Sequence, residues 1–72
     1  MLKEREELIY DLIFSEITEY KINISEYIED IYKYDRFIDD IKSVLKKSKV
    51  AIVKEKVDLE ETNVIWNLKV KK

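Results

Sequence analysis

The sequence predicts an α+β fold in which helices come first and a C-terminal β-hairpin comes last. Two periods and one interruption predict it. Up to about Lys47 the apolar residues recur at helical spacing; from Val50 to Val70 they alternate instead. Between the two alternating runs lies the polar stretch Asp58-Leu59-Glu60-Glu61-Thr62-Asn63, a turn signal. The chain contains no Gly and no Pro, so every boundary has to be read from periodicity.

The first helix is expected over about residues 3–20. Leu8, Ile9, Tyr10, Leu12, Ile13, Phe14, Ile17 and Tyr20 cover about 240° of its circumference at roughly 100° per residue. That arc is wider than one amphipathic stripe. It assigns Tyr10, Phe14 and Ile17 as a surplus face free for an interface, and a homodimer through this helix is the expected assembly. The Ile22/Ile24 alternation that follows allows a very short strand. Asn23, three residues before Glu26, has the spacing of a capping box.

Residues 25–47 carry Tyr27, Ile31, Tyr34, Ile38, Ile41 and Leu45. This spacing fits either one long helix or two helices joined by a tight turn near Tyr32–Asp35. Phe37 and Tyr32 fall off the stripe and count with Tyr10 and Phe14 as candidate interface aromatics. The hairpin is expected over about 50–70, with Asp58 opposite Asn63 across a four-residue loop. Ala51, Val53 and Val57 then face Val70, Leu68 and Val64, Trp66 points at the helices, and Glu55 falls opposite Trp66.

A chain of 72 residues allows one domain with a small core. With no Cys and no His it has no disulfide, no thiolate nucleophile and none of the usual zinc ligands, so neither a metal nor a cofactor is expected. The acidic start and the lack of an apolar stretch of about 18 residues point away from a secretory signal and a membrane span, and towards the cytoplasm. Carboxylate pairs such as Glu26/Asp30 and Asp35/Asp39 have helical spacing, but no Gly-rich loop or nucleophile motif accompanies them. The chain is read as non-enzymatic. The preference for Lys over Arg, with many Ile and Tyr residues and a single Ala, reads as an AT-rich coding bias of the kind common in viruses and mobile elements.

The order helix, short strand, helix, helix, two-stranded ribbon resembles a winged helix-turn-helix domain over nearly the whole chain. Ile24-Ser25-Glu26-Tyr27-Ile28 looks like the opening of that family's second helix. Ile38, Ile41 and Leu45 fit the inner face of its recognition helix, and Thr62-Asn63-Val64-Ile65-Trp66-Asn67-Leu68 fits its returning wing strand. The sequence departs from the family where glycine is common: Tyr32 stands at the turn and Lys49 between recognition helix and wing. The resemblance implies a DNA-binding transcriptional regulator acting as a homodimer on double-stranded DNA. Arg36, Ser43 and Lys46 would lie nearest the bases or phosphates, with Lys54 and Lys56 on the backbone.

Charge pulls two ways. The net charge is −3 over residues 1–24, −1 over 25–47 and +2 over 48–72, counting 3 basic against 6 acidic, 5 against 6, and 6 against 4. Asp35, Asp39 and Asp40 lie on the outward side of the expected recognition helix and would repel phosphates. The alternative reading is therefore an acidic protein-binding inhibitor or adaptor, with Glu26, Glu29, Asp30, Asp39 and Asp40 facing a basic partner. A break near Tyr32–Asp35 favours the winged helix; a continuous helix favours the adaptor.

Overall fold

A computed structural model describes all 72 residues. Helix α1 spans Arg5–Phe14 and strand β1 Glu19–Asn23. Two short 3-10 turns follow, at Ile24–Glu26 and Ile31–Lys33. Helix α2 then spans Tyr34–Lys47, and β2 (Ala51–Glu60) and β3 (Asn63–Lys71) form a hairpin. The three strands make one antiparallel sheet of order β1-β3-β2. The fold is α+β with its hairpin last, as expected.

One face of the sheet carries the core. Tyr20 and Ile22 of β1 lie opposite Leu68 and Trp66 of β3, and Val57 and Ile52 of β2 lie opposite Trp66 and Val70. Leu8 and Leu12 of α1 and Phe37, Ile38, Ile41 and Leu45 of α2 close over that face in a single cluster. Trp66 is fully buried at its centre. The buried residues include no polar or charged side chain.

Four expectations are corrected. The first helix stops at Phe14, six residues early. Ser15 is already extended, and Tyr20 is drawn into β1, where pairing with β3 satisfies its backbone while its hydroxyl reaches back to the Asp11 carbonyl at the end of α1. Residues 25–47 form neither one long helix, which would have made an αα-hairpin with α1, nor the two helices of the winged-helix resemblance. Residues 25–47 hold one α-helix, α2, preceded only by the two 3-10 turns, and the break falls just before Tyr34. The turn side chains explain it: Asn23 accepts from the Ser25 N–H at 3.1 Å and Asp30 from the Tyr32 N–H at 3.1 Å, so both compete locally with a continuing helix. No capping box joins Asn23 to Glu26. Phe37 is not a surface aromatic; it is buried under Tyr27, with ring centroids 5.6 Å apart, and the Arg5 guanidinium lies 5.1 Å from its ring centre.

The hairpin is tighter than expected. Glu60 pairs with Asn63, leaving a two-residue loop of Glu61 and Thr62. Two-residue loops that match strand twist usually need positive φ, which neither residue adopts. Outside contacts hold the end instead. The Ser25 hydroxyl accepts from the Val64 N–H at 3.1 Å and donates to the Thr62 carbonyl at 3.3 Å, and the Asn23 amide donates to Asn63 at 3.2 Å. The shorter loop itself sets Glu55 opposite Leu68, not Trp66, and a bulge between Ile52 and Lys54 leaves Val53 unpaired and exposed.

Two caps complete the helices. α2 ends in a Schellman motif: Val50 N–H donates to Leu45 carbonyl at 2.9 Å and Lys49 N–H to Lys46 carbonyl at 3.2 Å. Lys49 takes the left-handed conformation this requires, φ 60°. α1 has no basic residue in its last turn. Lys72 supplies the charge from β3's end, its Nζ donating to the carbonyls of Asp11 at 3.0 Å and Ser15 at 2.6 Å.

Candidate functional site

Three surfaces remain once the core is subtracted. The first is the outer side of α2. Its hydrophobic residues are spent on the sheet, so Asp35, Arg36, Asp39, Asp40, Ser43, Lys46 and Lys47 are exposed. Asp40 is engaged by Arg5 at 3.4 Å. Arg36, Ser43 and Lys46 have no salt-bridge or side-chain hydrogen-bond partner and are free to meet a ligand. Lys42 is not: its ammonium lies 2.7 Å from Glu55. Three carboxylates therefore share this side with the free cations.

The second surface is the face of the sheet turned away from both helices. Side chains alternate along a strand, so the partners of the buried positions point outwards. β1 contributes Glu19, Lys21 and Asn23. β3 contributes Ile65, Asn67, Lys69 and Lys71, and β2 contributes Lys54, Lys56 and Asp58. Ile65 is buried here, apart from the core cluster, with Asn23 and Asp58 as its cross-strand neighbours. Asn67 donates to Asp58 at 3.1 Å. Lys56 lies 3.5 Å from Asp58 and Lys69 3.9 Å from Glu19.

The five residues expected to contact nucleic acid thus divide. Arg36, Ser43 and Lys46 stand on α2, above one face of the sheet, while Lys54 and Lys56 point from the other. Sequence reasoning placed all five on one side because it treated the hairpin as a wing beside the helix. Pairing of β1 with β3 folds the ribbon into a sheet whose outer face looks away from α2. The hairpin tip, with Glu60 and Glu61, is acidic.

The third surface is the outer face of α1. Tyr10, Phe14 and Ile17 are 64%, 69% and 57% exposed, which makes them a continuous apolar strip on a densely charged molecule. The Tyr10 and Phe14 rings touch in a tilted arrangement, 4.9 Å between centroids and 44° between planes. Ile17 follows the helix, in the loop to β1. Leu8 and Leu12, on the opposite side, are buried.

No three acidic side chains converge in a metal-binding arrangement. No helix is long and apolar enough to cross a membrane. One phenol is perturbed: burial, with smaller contributions from Glu26, Asp11 and Glu7 and an opposing one from Lys3, raises the pKa of Tyr27 above its ordinary value of 10.0. Sequence reasoning put Glu55 on the core face but gave it no role; its carboxylate joins Lys42 of α2 to the core tryptophan. Its placement on the core face of β2 was the available signal. Compared with protein-family models, with curated proteins and with solved structures, the chain matches none.

Proposed function

We propose that this chain is a small, non-enzymatic, winged-helix-like regulator that acts in the cytoplasm as a homodimer on double-stranded DNA. The observation that carries the reading is topological. A helix with free Arg36, Ser43 and Lys46 is laid across a sheet of order β1-β3-β2, immediately after a break in the chain before Tyr34. The short strand after α1 and the ribbon following α2 are features that the sequence resemblance implies. The second helix of the motif is replaced here by the two 3-10 turns, so α2 alone would enter the groove. α1 supplies the dimer contact through Tyr10, Phe14 and Ile17, on the side away from the core.

The acidic side chains of α2 support a second reading, an adaptor or inhibitor that binds a basic protein partner. Asp35 and Asp39 have no cationic partner within ion-pair distance. One titration separates the two. Anisotropy of labelled random duplex DNA, followed from low to physiological salt, should show binding that falls steeply as salt rises, because bound phosphates release counterions. Absence of binding at low salt would eliminate the regulator and leave the adaptor.

A further inference from the structure

The open face of the sheet is built as a lysine array. Lys21, Asn67 and Lys56 form one cross-strand row, and Glu19, Lys69 and Lys54 form the next; Lys71 continues β3 beyond them. Strands are spaced by about 4.8 Å and like-facing residues along a strand by about 7 Å. Four lysines therefore surround Asn67 in an area about 7 by 10 Å. Lys54 stands directly opposite Lys69, a like-charge pair that destabilises a sheet. Lys21 and Lys54 have no carboxylate within ion-pair distance. Glu19 and Asp58 offset Lys69 and Lys56 in part, but Lys21, Lys54 and Lys71 leave an excess of positive charge on a chain that is at −2 as a whole, which makes this face complementary to a polyanion.

We propose that this open face, through Lys21, Lys54, Lys56 and Lys69, is a docking surface for the phosphodiester backbone of duplex DNA. Duplex carries about one charge per 1.7 Å of axis counting both strands, so the strand facing the array presents about three over 10 Å. No aromatic side chain stands on the face, since Tyr20 belongs to the core side, so it has no platform on which single-stranded bases could stack. The inference deepens the DNA-binding reading and rests on it for its ligand class. It differs in placing the phosphate contacts on the side opposite α2.

The test is salt-dependent anisotropy with labelled random duplex DNA, comparing the wild-type chain, Lys21→Gln/Lys54→Gln, Arg36→Gln/Lys46→Gln and Glu19→Gln. The two open-face substitutions sit on exposed side chains, and circular dichroism should show an unchanged fold. Loss of about tenfold in affinity at low salt, with the salt slope reduced by about two, is expected for the open-face variant. Glu19→Gln, which frees Lys69, should bind more tightly than wild type. Wild-type affinity in the open-face variant, together with loss in the α2 variant, would overturn this inference and leave the proposed function standing. Loss in the open-face variant alone would keep the inference and remove α2 from the contact. No wild-type binding at any salt would overturn both.

Discussion

The indole N–H of Trp66 donates to the carboxylate of Glu55 at 3.3 Å, from the centre of the core to the strand beside it. The same carboxylate receives Lys42 of α2 at 2.7 Å. One side chain thus satisfies a buried donor and ties helix to sheet. Glu55→Ala should cost about 1–3 kcal/mol, because it leaves the indole N–H of a fully buried tryptophan without its acceptor. Glu55→Gln keeps an acceptor and loses only an ion pair whose members are about a third exposed, so its cost should stay below about 1 kcal/mol. Urea denaturation followed by tryptophan fluorescence measures both. Equal midpoints for the two variants would show that the hydrogen bond contributes nothing beyond the charge.

Lys49 sits at φ 60°, where a Cβ is unfavourable. Lys49→Gly should stabilise the fold by about 0.5–1 kcal/mol, the steric relief being offset in part by glycine's extra chain entropy. Lys49→Val should do the reverse. Thermal unfolding is the readout, and a lower midpoint for the glycine variant would refute this account of the cap.

Tyr20 holds the end of α1. Its hydroxyl lies 2.8 Å from the Asp11 carbonyl, 2.8 Å from the Ser15 hydroxyl and 3.1 Å from the Lys72 ammonium. Tyr20→Phe should destabilise by about 1 kcal/mol. Lys72→Ala should act more weakly, since its contacts are exposed, and its effect should shrink as salt rises. Hydrogen exchange should accelerate most at the last turn of α1; uniform acceleration over the chain would argue against a local cap.

Phe14→Glu places a charge in the middle of the strip formed with Tyr10 and Ile17. If the proposed homodimer forms through this strip, sedimentation velocity should show the variant as a monomer, with a thermal midpoint little changed because Phe14 adds nothing to the core. A wild-type chain that sediments as a monomer at high micromolar concentration would remove α1 as a dimer interface.

Tyr27 has its pKa raised, chiefly by burial. Its neutral form is favoured in the folded state, so the associated stability is intact below the ordinary value of 10.0 and is lost as pH rises through the folded value. Tyr27→Phe should therefore lose less stability than wild type between neutral and strongly alkaline pH. Parallel pH profiles for the two proteins would contradict this.

Much of the fold was legible because apolar period and strand alternation were clean. Ile38, Ile41 and Leu45 named the buried side of α2, and the run from Val64 to Val70 named the core face of β3. Lys49 was singled out as standing where glycine is usual, and it is the one residue with positive φ. The failures have a common physical source. Tyr20 has a helical position in sequence and a strand position in space, because β3 offers it a partner more than forty residues away. The 3-10 turns follow from Asn23 and Asp30 bonding to nearby backbone, which periodicity does not record. The division of the candidate DNA contacts into two sides depends on β1 joining the ribbon, a long-range event that spacing cannot encode.

The sheet order also has a temporal meaning. β3 is the last strand to be synthesised, yet it is the middle one, and both β1 and β2 take their partners from it. Until it emerges from the ribosome, β1 has no ladder to join and α1 and α2 have no tryptophan to cover. The chain therefore cannot settle piecemeal from its N-terminus during translation. A nascent chain stalled before Asn63 would lack Trp66 and the strand that pairs β1 and β2, and would leave the apolar sides of those strands and of the helices without the sheet they pack on.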